Sequence, residues 1–563
     1  MNLSPEKKIA GILAPLFALR RDNDLGIGDL AALREFIDWS ADGGFKLVQL
    51  LPINETGGDN SPYNAISALA IEPTTLELAP GTPADLTQTD YDSVLNGAGV
   101  EYLRRGQIKY RRVKKLKRKL LEAAFSNFQR NAGEARKSEF RTFVEHESWL
   151  NDYSLFRALM EENGGTETWD QWREEHGTVE RAREWLRDLS APKCESIGKQ
   201  RDFFNYVQWI AHDQWRQIKA YAEQRGVAIM GDIPFGVSYY SADVFSRPNE
   251  FKLDWAGGAP PEPYFKDDEF TQKWGQNWGI PLYRWEAMQQ NNFEWWRQRV
   301  RAVKQTFHAF RIDHVLGFYR IYAFPWRPSR NQEFLPLNWD EMRARTEGRE
   351  PHFSPRDDSN WERAEANRRE GEHYLRVVLE ETGATRVVGE DLGTVPDYVR
   401  PNLSSLGIAG FKIPQWETLN DQVIPGSEYN RLSVATYATH DHKPIRALWA
   451  EVFEEKTSTS DQARLDLFKI ARFAGFHDDH PNLSYEHFYR TILGALFASN
   501  AWIAVVMITD LLGRKYRFNV PGTTADSNWA RRMQRTISQL RESRKERSRM
   551  RMLHELLEKT GRI

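Results

Sequence analysis

Phe310-Arg311-Ile312-Asp313-His314 closes an apolar run at 308–313 that follows a helix-like stretch at 292–307. The run is short, lacks polar alternation and stops at a carboxylate. A fully buried parallel strand reads this way. A carboxylate at its end is costly for structure and common in chemistry. Val388-Gly389-Glu390-Asp391-Leu392-Gly393 and Ala438-Thr439-His440-Asp441 repeat the arrangement. Three such stretches predict a barrel rim with acids converging on one substrate.

Working outward, seven more runs share the pattern, at 11–16, 46–53, 227–234, 385–389, 410–414, 433–438 and 503–509. Helix-like stretches at 29–41, 206–225 and 292–307 precede the second, third and fourth of the eight. Alternation of β and α that closes at eight predicts an α/β chain folded as a (β/α)8 TIM barrel, with function at the C-terminal ends of its strands. The whole of 1–563 is expected to be one catalytic barrel without a separate C-terminal β-domain. Uneven spacing places the insertions: a mostly helical one at 80–205, an active-site loop at 245–285, and a polar one at 328–372 after the fourth strand. The stretch 534–559 reads as an amphipathic helix, with Ile537, Leu540, Leu553, Leu556 and Leu557 facing the core.

The formal net charge is only −2, so no global field points to nucleic acid or a membrane surface. One cluster tests that: ten of the sixteen residues from Arg104 to Lys119 are Lys or Arg. A solvated helix face is the favoured reading over a nucleic-acid patch. The single cysteine, Cys194, permits no internal disulfide and fits a reducing, cytoplasmic setting. Lys7-Lys8 before an apolar run from Ile9 to Leu19 imitates a signal peptide. Pro15 inside it and Arg20-Arg21-Asp22 after it favour a buried strand. No stretch reaches the length of a membrane span. The 20 Trp and 30 Phe suit ordinary core packing, or in part a site for the flat apolar faces of sugars.

On a strand, residues two apart share a side. Arg311 can therefore sit beside Asp313 and favour its charged form, as a nucleophile requires; the alternative is a buried structural salt bridge. Glu390 lies between glycines that allow tight backbone geometry, and acidic or apolar neighbours would keep it protonated as a general acid. Asp391 points the other way and reads as a partner for a loop amide. Asp441 would be a third acid that holds substrate hydroxyls, with His440 donating to the same sugar. His440-Asp441-His442 also raises a metal site, but no partner at helical spacing supports one, and none is expected. One nucleophilic carboxylate and one acid/base equip a protein for retaining glycosidic-bond chemistry without a cofactor. Water as acceptor makes a hydrolase and a sugar hydroxyl makes a transferase; the three motifs leave both open.

With these residues in view the chain resembles the amylomaltases, the 4-α-glucanotransferases of glycoside hydrolase family 77. The resemblance runs through Leu25-Gly26-Ile27-Gly28-Asp29-Leu30, Leu51-Pro52-Ile53, Gly58-Asp59-Asn60-Ser61-Pro62-Tyr63 and Gly231-Asp232-Ile233-Pro234. It continues through Pro260-Pro261 with Tyr264-Phe265, and Trp278-Gly279-Ile280-Pro281-Leu282-Tyr283. It ends with Arg517-Phe518-Asn519, Pro521-Gly522-Thr523 and Asn528-Trp529. It implies Asp313 as nucleophile, Glu390 as acid/base and Asp441 as transition-state stabiliser, with Arg311 and His440 in support. It further implies that Tyr63, Asp232, Trp278 and Asn519 contact the glucan and that Tyr264 sits on a loop over the site. The implied partners are an α-1,4-glucan donor and a glucose or maltooligosaccharide acceptor.

Departures from the family pattern cluster beside the acids. His442-Lys443-Pro444 follows Asp441 where the family continues with Asn, Val315-Leu316-Gly317 follows His314, and Thr509 opens Thr509-Asp510-Leu511-Leu512-Gly513. The loop from Pro260 to Leu282 reads as longer than usual, which makes Trp274 an alternative to Trp278 as the stacking residue. A catalytically dead glucan-binding barrel is the rival of another class, and it would be expected to have lost a carboxylate.

Overall fold

The computed structural model describes residues 1, 3–262, 268–454, 461–477, 484–521 and 527–563. Each of the eight apolar runs holds one strand: β1 (Ile9–Leu13), β2 (Leu47–Gln49), β3 (Ala228–Pro234), β4 (Ala309–Asp313), β5 (Arg386–Gly389), β6 (Gly410–Lys412), β7 (Ser433–Ala435) and β8 (Ile503–Met507). Sequence neighbours pair in parallel from β1 to β5 and from β6 to β8, and β8 returns to β1. A bridge between Val388 and Ala409 closes the remaining seam, where the Gly389 N–H donates to the Ala409 carbonyl at 2.9 Å. The result is a closed (β/α)8 barrel, as the sequence predicts. Its strands are largely buried on both faces, which is why they read as mostly apolar runs without polar alternation.

Helices cover the outside. Leu30–Asp42 (α1), Ala191–Gln224 (α2), Glu294–Thr306 (α3), Trp361–Thr382 (α4), Val399–Ser405 (α5) and Tyr485–Ala498 (α6) precede β2, β3, β4, β5, β6 and β8. Asp29 starts α1 by accepting the Ala32 N–H at 3.0 Å, the usual work of an N-cap carboxylate. In α3 the buried residues Trp295, Trp296, Arg299 and Val300 recur at helical spacing and turn one face inward. The β6–β7 connection carries a small hairpin, Thr418–Leu419 with Gln422–Val423, and a 3-10 turn, Gly426–Glu428, instead of a helix. Packing between strand and helix is tight at Gly231, where an added Cβ would meet the Phe307 ring at 2.2 Å.

Between β2 and β3 the chain forms Tyr110–Asn131, Glu134–His146, Trp149–Glu162 and Val179–Arg187 before α2. The basic cluster lies at the start of the first of these helices. Lys117 is buried and donates to the carbonyls of Thr74 and Leu76 at 2.6 and 2.7 Å. Lys114 reaches the Thr56 carbonyl and hydroxyl at 3.2 and 3.0 Å. Part of this charge therefore ties the insertion to the β2 loop.

The sequence reading did not foresee a second sheet. Phe251–Ala259, Gln276–Tyr283, Ile321–Phe324 and His352–Ser354 form an antiparallel four-stranded sheet, in the order 276–283, 251–259, 321–324, 352–354. Segments 245–285 and 328–372 both contribute to it, and residues 361–372 already belong to α4. At the other end, 534–559 is two helices, Ile537–Glu542 and Arg544–Lys559, divided at Ser543, which caps the second. Ile537, Leu540, Leu553 and Leu557 are buried, and Leu556 is partly so. Among the described residues no helix is long and apolar enough to cross a membrane.

Candidate active site

Strand register builds the site. Asp232 on β3 pairs with Arg311 on β4, Pro234 with Asp313, and Ile312 with Gly389 on β5. The three strands therefore end level, with Asp313 and Glu390 on adjacent rims. Arg311 Nη1 donates to both oxygens of Asp232 at 2.8 and 2.7 Å, and its Nη2 lies 2.6 Å from Asp313 Oδ1. The guanidinium is a buried bridge between a structural carboxylate and one that opens to the cleft. A fork held on one side by Asp232 presents its other side to Asp313 in fixed geometry.

Glu390 follows β5. Its Oε2 accepts the His314 N–H at 2.8 Å, and its own N–H donates to the Ile312 carbonyl at 2.9 Å. His314 has φ +51°, and this left-handed turn at the end of β4 aims its N–H at the acid. Burial pushes the Glu390 carboxyl up to about 7; Arg311 opposes the rise and Asp313 adds to it. Burial likewise lowers His314 to about 4, so its ring is neutral. Asp391 faces away and accepts the Phe411 N–H of β6 at 2.6 Å, with Arg400 Nε at 3.0 Å. It does serve a backbone amide, though one in a strand, not in a loop.

The third acid follows β7. Asp441 Oδ2 lies 3.1 Å from His440 Nε2, and Oδ1 accepts from Asn519 Nδ2 at 2.6 Å. Burial works against the charge of Asp441, but His440 and Asn519 outweigh it and hold the carboxyl below the usual carboxylate range. Burial also works against a charged His440, and Asp441 outweighs it and raises the imidazole. Arg517 donates to the Asp441 carbonyl and, through Nε, to that of Asn519 at 3.0 Å. His442 borders the same opening: its Nδ1 accepts the Thr439 N–H at 3.0 Å, and burial lowers it to about 4.

Tyr63 joins the two halves. Its hydroxyl donates to Asp232 Oδ2 at 2.7 Å and lies 3.3 Å from His440 Nδ1, and its ring stacks on the His440 ring at 4.9 Å. The loop bearing Tyr63 is held from behind by the helical insertion. Tyr153 donates to Glu55 Oε2 at 2.5 Å, and Gln208 exchanges hydrogen bonds with the backbone of Ile71 at 2.8 and 2.9 Å.

These groups open on a cleft of about 1160 Å³. Asp313, Glu390, Asp441, Arg311, His440, Tyr63, Trp278 and Asn519 all line it. Asp232 does not: its side chain is fully buried and committed to Arg311 and Tyr63, which makes it a support for other residues. Trp278 is 39 % exposed and stands edge-on to His314 at 4.7 Å. Trp274 is fully buried, donates to the Phe334 carbonyl at 3.0 Å and packs on Trp326, so it cannot be the stacking residue. Tyr264, Gly522 and Thr523 lie outside the described residues.

A chain-wide match accompanies this geometry: residues 14–538 fit the family model for 4-alpha-glucanotransferase, glycoside hydrolase family 77. The chain belongs to the 4-alpha-glucanotransferase family. Curated 4-alpha-glucanotransferases of Aquifex aeolicus and Chlamydia muridarum are each 29 % identical to it. The matches cover 95 % and 94 % of this chain, and 97 % and 92 % of theirs. Among solved structures, an amylomaltase of Streptococcus agalactiae in complex with acarbose matches with TM-score 0.73 at 22 % identity, over 99 % of this chain and all of that one. An amylomaltase of Corynebacterium glutamicum matches with TM-score 0.75 at 20 % identity, over 99 % of this chain and 76 % of that one. Both share the fold.

Within this 4-alpha-glucanotransferase-family cleft the sequence reading missed Tyr239, Tyr240, Arg327 and Trp416, which all line it. Trp416 is 49 % exposed and packs on His442 at 4.8 Å. Its one legible signal is position, two residues after the apolar run 410–414. The other three sit in segments without apolar pattern.

Proposed function

We propose that this protein cuts an α-1,4-glucan and moves the released segment to the 4-OH of an acceptor glucan by retaining double displacement. Asp313, with the Arg311 guanidinium at its side, attacks the anomeric carbon. Glu390 gives its proton to the leaving glycosidic oxygen. The glycosyl–Asp313 ester then passes to an acceptor hydroxyl, whose proton returns to Glu390. Asp441, kept charged by His440 and Asn519, holds sugar hydroxyls and offsets positive charge at the ring as it develops. The observation that carries the reading is the pairing of a carboxyl raised to about 7, Glu390, with a carboxylate ion-paired at 2.6 Å on the next strand end. Two adjacent acids with divided environments are how acid and nucleophile are told apart.

The test uses Glu390→Gln protein and α-maltosyl fluoride, whose leaving group needs no proton. Mass spectrometry is expected to find a maltosyl adduct on the peptide containing Asp313. Transfer of the maltosyl group to a sugar hydroxyl needs the base that this variant lacks, so the adduct is expected to persist on addition of maltotriose and to be released as maltosyl azide by azide, which has no proton to remove. An adduct elsewhere, or one that maltotriose discharges as readily as azide, would contradict the proposal.

A further inference from the structure

One wall of the cleft is assembled from three segments that the acids do not touch. The turn Trp169–Gln171 comes from the helical insertion, Tyr239 and Tyr240 follow β3, and Arg327 follows the strand Ile321–Phe324. Tyr239, Tyr240 and Arg327 line the cleft. Trp169 stacks on Tyr239 at 5.0 Å with the rings 14° apart and donates to its carbonyl at 2.9 Å. The Arg327 guanidinium lies 4.3 Å from the Tyr239 ring centroid. Tyr239 is thus the middle layer of a stack, spent on fixing the cation instead of offering a face to a ligand. Arg327 Nη1 donates to Asp170 Oδ2 at 3.0 Å and to Tyr240 Oη at 3.3 Å, and Tyr240 Oη donates to the same Asp170 oxygen at 3.3 Å.

A flexible arginine is held here by an aromatic face, a carboxylate and a phenol, yet its side chain stays 37 % exposed on the cleft surface. Among the described residues its hydrogen bonds use Nη1, which leaves other N–H donors of the planar fork for a ligand in the cleft. Vicinal hydroxyls of a glucose ring accept such a fork, and prior immobilisation lowers the entropic cost of binding them. We propose that Arg327 is a glucose-binding residue for the part of a long glucan that lies away from the three carboxylates. Asp170 positions it. The helical insertion thereby helps to set chain-length preference. This inference rests on the glucan reading above and adds to it a subsite and a role for the insertion.

Binding separates the two. Glu390→Gln protein, slow in turnover, is titrated calorimetrically with maltotriose and maltoheptaose, with and without Arg327→Ala. The preference for maltoheptaose over maltotriose is expected to fall about fivefold in Arg327→Ala, the scale of one hydrogen-bonded contact at an exposed site. Asp170→Ala is expected to move the ratio the same way by less, and the double variant no further than Arg327→Ala alone, since the residues act as one unit. Arg330→Ala removes a neighbouring cation paired with Glu333 and is expected to leave the ratio unmoved. An unchanged ratio in Arg327→Ala overturns the subsite, even if melting temperature drops or both affinities weaken equally. A shifted ratio in a protein whose wild type lengthens no oligosaccharide leaves the subsite standing and retires the transferase reading. Failure to bind either sugar overturns both.

Discussion

Asp313 and Glu390 occupy neighbouring strand ends, and their surroundings differ. Asp313 shares Arg311 with Asp232, whereas Glu390 is enclosed and receives one backbone N–H. Under the proposed mechanism Asp313→Asn removes the nucleophile at nearly constant shape, and a loss of at least about 10³-fold in kcat is expected from steady-state kinetics. The pH profile tests Glu390. Its raised carboxyl is protonated below about 7 and loses that proton above it, and the first step of the proposed mechanism needs the acid form. Hence kcat/KM is expected to fall about tenfold per pH unit on the alkaline side of that value. Asp441, held low by His440 and Asn519, contributes no titration in this range. The three acids were legible because each interrupts an apolar run at its end. Trp274 and Trp278 could not be told apart from sequence, because burial decides between them and burial comes from the second sheet. The wall of Asp170, Tyr239 and Arg327 was illegible for a related reason: each residue is ordinary in its own segment, and only the fold brings the segments together.

Among the elements, all eight barrel strands were legible because burial on both faces leaves a mostly apolar run without polar alternation. The antiparallel sheet left no such trace. Its longest strand, Phe251–Ala259, contains Lys252, an exposed Asp254 and the pair Gly257-Gly258, so it reads as loop. That sheet nevertheless presents Trp278, and the presentation depends on one glycine. Gly279 has φ +77°, and an added Cβ would stand 2.8 Å from Pro328 Cγ. Gly279→Ala is therefore expected to raise KM for maltotriose by displacing Trp278. The accompanying loss of stability is expected to be about 1–3 kcal/mol, read from thermal unfolding. The break at Ser543 in the C-terminal helices shows the same limit: an amphipathic pattern continues across a cap that local hydrogen bonding decides.

For the molecule as a whole, closure of the barrel carries both stability and function. At the N-terminal end of the strands, Arg562 is fully buried and donates to the carbonyls of Phe497, Ile9, Ser499 and Ala501 at 2.5, 2.8, 2.9 and 2.9 Å. It ties the C-terminal helix to β1 and to the turn entering β8. Arg562→Ala would strand several carbonyls at once, and a loss of about 3–5 kcal/mol is expected in denaturant titrations, with the folded fraction keeping its rate because the clamp lies at the end away from the cleft. At the other end, the closed rim brings β2, β3, β4, β5 and β7 residues together as one cleft that a glucan can enter. The proposed function requires that this cleft transfer glucan segments in preference to releasing them into water. The decisive experiment incubates the purified protein with maltotriose and resolves the products by chain length. Glucose together with a ladder of oligosaccharides longer than maltotriose is the expected result; products no longer than maltotriose would contradict it.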